Sequence, residues 1–238
     1  MRVLVVQQDH VSPPGPVGEA FAERGYDVEE FLVVPPERFA APVVEVAFPD
    51  PTRYDAVVPM GAPWSVTSDH IAGWVAGELA LLRRAHEAGV PVLGICFGGQ
   101  ALAAALGGSV GRAARAEIGW ISIGTDDPSL VPAGPWFQWH EDRWTAPPGA
   151  REIARTAVAP QAFVAGRSLA VQFHPELTVD QLSGWLDNGG STYLAAQGLD
   201  ADQLVARTQT EAPAAAGRAR ALVAAFLDRV ATAPHPLT

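Results

Sequence analysis

Lysine is absent from this chain: all 16 basic side chains are arginines, set against 26 acidic ones, for a formal charge of -10. Such a surface cannot neutralise a run of phosphates, which excludes general nucleic-acid binding. The one local basic patch, Arg112 with Arg115, is too small to reverse that sign. Cysteine is nearly absent too, and the single residue, Cys96, leaves no partner for an intramolecular disulfide. A reducing cytoplasm is the natural compartment for a free thiol. Nor does a basic stretch with a long apolar core open the chain, since Met1-Arg2-Val3-Leu4-Val5-Val6 reaches polar Gln7-Gln8-Asp9 at once. No run approaches the roughly 18 apolar residues that a membrane span needs. These absences predict a soluble, unprocessed cytoplasmic protein with neither nucleic-acid nor membrane partners.

What remains is ample material for a core. With 48% hydrophobic residues in 238, the chain has the size of one α/β domain, or of one domain with an appendage. Residues 2–6 read as a short buried strand, and residues 16–24 as a helix stopped by Gly25. Strands follow over 28–34 and 54–60, separated by a proline-rich irregular loop. Residues 71–88 carry Ile71, Trp74, Val75, Leu79 and Leu82 on one helical face, with Asp69 placed to cap it and Gly89 to end it. The alternation of strand and helix predicts a parallel sheet covered on both faces.

The chain is organised around Val92-Leu93-Gly94-Ile95-Cys96-Phe97-Gly98-Gly99-Gln100. An apolar run of strand length passes through Gly-x-Cys-x-Gly into an Ala/Leu run of helical length. A tight strand-to-helix turn of this kind lifts a side chain off the sheet, and Gly94 and Gly98 remove the Cβ atoms that would clash. The helix start offers unpaired N–H groups and a positive dipole end to a thiolate. It also aims the Phe97 N–H where a tetrahedral oxyanion would form.

Beyond Gly108 the pattern changes. Residues 117–124 alternate like a strand exposed on one side, and 136–144 mix aromatic with polar residues, which predicts a smaller antiparallel sheet. His140, flanked by acids, reads either as a hydrogen-bonded structural histidine or as a substrate-side group. Residues 168–173 return to the main sheet and end at His174-Pro175-Glu176. In extended backbone, residues two apart project together, and Pro175 stiffens the pair. A carboxylate beside an imidazole fixes its tautomer and stabilises its charged form. The turn Gly61-Ala62-Pro63, Cys96-Phe97 and His174-Pro175-Glu176 all follow the carboxyl ends of predicted strands, where open α/β sheets bind ligands. Residues 178–238 read as helical, with Asp200 and Gln203 resembling a capping box and Ala219, Leu222, Val223, Phe226 and Val230 forming an apolar stripe.

Gly94-Ile95-Cys96-Phe97-Gly98-Gly99-Gln100 together with Gln172-Phe173-His174-Pro175-Glu176 resembles the class I glutamine amidotransferases, especially stand-alone proteins similar to the glutaminase domain of GMP synthase. The resemblance covers about residues 2–185. It implies a three-layer α/β/α sandwich, flavodoxin-like, with a mainly parallel central sheet, a small antiparallel sheet and C-terminal helices. Residues 1–185 would form the amidotransferase-like domain, and 186–238 a helical extension packed on it. The resemblance further implies that Cys96 is the nucleophile, His174 the acid/base and Glu176 its orienting partner, with Gly61, Ala62 and Phe97 lining an oxyanion hole. Gln100, Gly119 and Trp120 would hold substrate, with no metal or cofactor. Two departures stand out: Gly99 replaces a frequent histidine, and Ala62 a glycine. The implied activity is hydrolysis of the glutamine side-chain amide, with ammonia passed to a separate synthetase. The alternatives are a γ-glutamyl hydrolase acting on a γ-glutamyl amine or peptide, and a non-catalytic regulatory protein of the same fold.

Overall fold

The computed structural model describes residues 1–234; the last four residues of the expected helical stretch 178–238 lie outside the described residues. β1 (Arg2–Gln7), β2 (Asp27–Leu32), β3 (Ala56–Pro59), β4 (Val92–Ile95) and β9 (Ser168–Val171) pair in parallel, in the order β2-β1-β3-β4-β9. This is the doubly wound order in which neighbouring strands present their carboxyl ends along one edge. β5 (Ser109–Thr125), β6 (Gly134–Thr145), β7 (Arg151–Arg155) and β8 (Pro160–Ala165) pair antiparallel and continue the same sheet as β9-β8-β7-β5-β6. Only Gly124 and Thr125 of β5 pair with β7. The rest of that long strand pairs with β6, so the two form a ribbon that leaves the sheet and bends at a register shift between Arg112 and Glu117.

The period-2 alternation of the parallel strands divides the core. Val3, Val5, Ala56, Val58, Leu93 and Ile95 face one layer, and Leu4, Val6, Val57 and Val92 the other. On the first face lie α1 (Gly15–Glu23) and α6 (Ala201–Ala225), whose Leu222 and Val223, with the following Phe226 and Val230, are buried against Phe21 and Val17. On the second lie α2 (Ala72–Glu87) and α3 (Phe97–Ala105), through Trp74, Leu82, Ala101 and Leu102. A third, smaller core holds Trp120 and Phe137 of the ribbon against Leu182 of α4 (Val179–Trp185) and Leu194 of α5 (Ser191–Ala196). Among the described residues, no helix is long and apolar enough to cross a membrane.

Two local expectations need correction. Asp69 does not cap α2, because it lies inside a separate 3-10 turn, Asp69–Ile71, that delivers the chain to the helix. Asp200 does cap α6, accepting from the N–H groups of Asp202 and Gln203, but Gln203 returns its side chain to the Asp200 carboxylate and the reciprocal box is not made. The complete capping box belongs to Thr178 and Gln181 at the start of α4. β7 and β8 were not foreseen. Between α4 and α5 the helical path breaks at Asn188 and at Gly189, whose φ of 104° favours glycine.

Candidate active site

Cys96 leaves β4 with φ 49° and ψ -107°, among the described residues the one positive φ outside glycine. The approach of α3 to the sheet is what forces this turn. A Cβ at Gly98 would lie 2.1 Å from the Pro59 carbonyl oxygen, and one at Gly94 2.8 Å from that of Gly98. Both positions therefore require glycine. Gly99 is subject to the same approach: a Cβ there would stand 2.9 Å from the Val171 oxygen and 3.2 Å from the Trp144 ring. The departure at Gly99 thus has a steric cause in this chain. Backbone bonds from Cys96 N to Val171 O (2.8 Å) and from Gly98 N to Met60 O (2.9 Å) pin the turn to both neighbouring strand ends.

From the end of β9, His174 and Glu176 project together, with Nδ1 2.8 Å from Oε1. The carboxylate can only accept here, so Nδ1 carries the proton and Nε2 is left to face the Cys96 thiol. Burial disfavours the His174 imidazolium, but the negative charges of Cys96 and Glu176 and hydrogen bonds with both outweigh it, and its pKa is raised to about 10. The imidazolium is thus the favoured state of His174 beside Cys96. Gly61 passes directly over this pair, since a Cβ on it would meet His174 Cε1 at 2.9 Å and Cys96 Cβ at 3.7 Å. The backbone after β3 is thereby brought against the thiol, alongside the first turn of α3.

These groups lie at the bottom of a cavity of about 700 Å³. Its walls come from the turn after β1 (Asp9, Ser12), from β6 (Trp139, His140, Glu141) and from the break between α4 and α5 with its flanking Trp185 and Tyr193. The Trp185 ring stands edge-on to His174, centroids 5.0 Å apart, and its Nε1 donates to Val11 O and Ser12 Oγ. Burial raises the Asp9 carboxyl above its ordinary pKa, against the lowering effect of bonds from the Val11 N–H and from Ser12. At the rim, Glu141 accepts from Tyr193 Oη (2.6 Å) and pairs with Arg112, and the two hold its carboxyl below the usual range. Ala62, Phe97 and Gln100 also line the cavity. Gly119 and Trp120 do not: the Trp120 indole donates to Thr208 Oγ1 (2.9 Å) and packs on Phe137, and Gly119 lies 3.4 Å, by its Cβ position, from Leu204. Asp9, Trp185 and Tyr193 are cavity residues that sequence reasoning does not single out. Asp9 alone carried a signal, the polar run at the carboxyl end of β1.

A mixed sheet flanked by helices, with a cysteine on the turn after interior strand β4 and a histidine–glutamate pair after the adjacent β9, defines an α/β fold with its cavity at the carboxyl ends of the parallel strands. The model of the family "Glutamine amidotransferase class-I" matches residues 19–188, and the chain belongs to that family. Among curated relatives, the "GMP synthase [glutamine-hydrolyzing]" of Thermus thermophilus is 43% identical over 108 residues, which span 40% of this chain and 20% of that protein. The protein of the same name from Bifidobacterium longum is 35% identical over 145 residues, 57% of this chain and 25% of its own length. The chain thus matches only a fifth to a quarter of these relatives. Two solved structures share the fold over nearly the whole of both chains, each at 23% identity. They are a glutamine amidotransferase from Methylobacillus flagellatus (TM-score 0.82, 95% of this chain and 94% of that one) and one from Thermotoga maritima (0.81, 98% and 99%).

Proposed function

We propose that the chain is a glutaminase that hydrolyses the side-chain amide of glutamine through Cys96, His174 and Glu176, and that the ammonia passes to a separate acceptor enzyme. The observation that carries this reading is the His174 imidazole, fixed by Glu176 on one nitrogen and left with the other facing a thiol on a strained turn. The Cys96 thiolate attacks Cδ of the substrate amide. The oxyanion collects against the N–H of Phe97 and the backbone of Gly61 and Ala62. His174 gives its Nε2 proton to the amide nitrogen, the C–N bond breaks, and ammonia leaves a γ-glutamyl thioester. The neutral imidazole then takes a proton from water as its oxygen attacks the thioester carbon. Breaking the C–S bond returns the thiolate and releases glutamate. Gln100, on the cavity wall, is the remaining candidate for contact with substrate.

A second reading rests on cavity size. About 700 Å³ lies within the range that accommodates drug-sized ligands, more room than one glutamine fills. Trp139, Trp185 and Tyr193 could cover a substituent on the amide nitrogen, as in a γ-glutamyl amine or peptide.

One experiment separates these readings: labelling with a glutamine-mimicking chloroketone, located by mass spectrometry, with glutamine or a γ-glutamyl amine as competitor. Rapid labelling of Cys96 that glutamine suppresses, absent in Cys96→Ala, is the expected result. Suppression by the γ-glutamyl amine alone would favour the hydrolase. An unreactive Cys96 would overturn both and leave a non-catalytic protein of the same fold.

A further inference from the structure

Gln172 is fully buried between β9 and His174, and its side chain reaches the other side of the Cys96 sulfur, with Nε2 3.6 Å from Sγ. A carboxamide can turn either its oxygen or its nitrogen toward a neighbour, so the orientation must be derived. It follows from a backbone carbonyl two links away. The Asp142 oxygen has no proton, so Gln100 must present Nε2 to it, at 3.4 Å. The same NH₂ group donates to Gln172 Oε1 at 3.3 Å. With its oxygen held there, Gln172 has only N–H to offer the sulfur. The Gln172 backbone is fixed as well, its N–H donating to Gln161 O at 2.9 Å.

We propose that Gln172 holds and stabilises the Cys96 thiolate by donating an amide hydrogen bond to it, and that Gln100 is a positioning residue that sets the Gln172 amide through the Asp142 carbonyl. The inference rests on Cys96 being the attacking group. In a site this dry, a hydrogen bond to an anion is strong. His174 alone could stabilise the thiolate, but it must move its proton during the reaction; Gln172 has none to lose. The sulfur therefore keeps one donor throughout the cycle, while the imidazole changes state on its other side.

The test uses the full chain and its single thiol. Alkylation of Cys96 by iodoacetamide is followed by intact mass across pH for the wild type, Gln172→Met, Gln172→Asn and Gln100→Met. In Gln172→Asn the site stays polar but the amide is too short to reach Sγ, so this variant decides the matter if Gln172→Met does not fold. The midpoint of the alkylation curve is expected to rise by about one pH unit in both Gln172 variants, a tenfold change in the thiolate-to-thiol ratio. A smaller rise is expected for Gln100→Met. A purely structural role would not move this midpoint. Superimposable wild-type and Gln172-variant curves would overturn the proposal. If wild-type Cys96 instead resists the chloroketone, the proposed function falls first, and the two failures are thereby told apart.

Discussion

Among the described residues, two buried histidines each face a glutamate, and they make opposite use of the same parts. His174 and Glu176 are 4% and 0% exposed at the side chain; His140 and Glu117 are 2% and 5%. Burial does not distinguish them. Their wiring does. His140 has Nδ1 2.9 Å from the Asp142 carbonyl, and its Nε2 lies 3.3 Å from Glu117 Oε2 without a hydrogen bond, so that nitrogen faces a carboxylate rather than a nucleophile. Glu117 is already committed, accepting from Thr156 Oγ1 and Gln161 Nε2 at 3.0 Å each. His174 has one nitrogen bound to Glu176 and the other turned to a thiol. A buried histidine can transfer a proton when its free nitrogen faces a nucleophile, and it has nothing to attack with when that nitrogen faces a carboxylate already held by other donors.

The sharpest way to break this contrast is to replace each histidine by glutamine. Loss of a general acid–base group costs up to about 10⁴-fold, and His174→Gln is expected near that limit. His140→Gln should leave turnover within about tenfold and lower stability by about 1–3 kcal/mol, because it disturbs a buried polar cluster. Steady-state rates and denaturant midpoints of the two variants decide it. If His140→Gln loses as much rate as His174→Gln, the wiring is not what separates them.

Glu176→Gln refines the comparison. The amide keeps the shape but not the charge that supports the imidazolium, and turnover should fall about 10²- to 10³-fold with the fold intact. An unchanged rate would reduce Glu176 to a packing role.

The smallest expected effect concerns a carboxylate with no histidine at all. Glu78 on α2 is buried against Gln8, whose Nε2 donates to it at 2.7 Å, and burial raises its pKa from 4.5 to about 8 despite that bond. Because the folded-state value is the higher one, the stability this group contributes is fully present below about pH 4.5 and is lost as pH rises through about 8. Glu78→Gln removes the ionisation. It should raise the melting temperature by several degrees at pH 9 and change it little at pH 4. Equal shifts at both pH values would show that the carboxyl ionises as readily in the fold as in the unfolded chain, and that its pKa is not raised.

Much of the fold could be read from local pattern. Alternation of apolar residues in β1, β3 and β4 sorted them to two faces, and glycines marked where α3 must touch the sheet. Cys96, His174 and Glu176 could be placed together because each follows a strand end, a position that needs no knowledge of side-chain packing. The rest depended on long-range contacts. β7 and β8 are short and carry register shifts, so neither shows a clean period. Trp120 resembled a substrate contact in sequence, yet Thr208, 88 residues away, decides where its indole goes. Trp185 and Tyr193 reach the cavity only because the helix breaks at Asn188 and Gly189, which spacing alone does not reveal.

The backbone of Cys96, at φ 49° and ψ -107°, sets folding against chemistry at a single residue. A side chain held in such a region costs on the order of 1–3 kcal/mol, a cost that glycine would largely avoid. Any laboratory evolution of this chain toward heat resistance, scored by solubility alone, would therefore meet the thiol as a defect to be removed. A thermostable variant obtained in that way should be sequenced at position 96 before it is used as a catalyst.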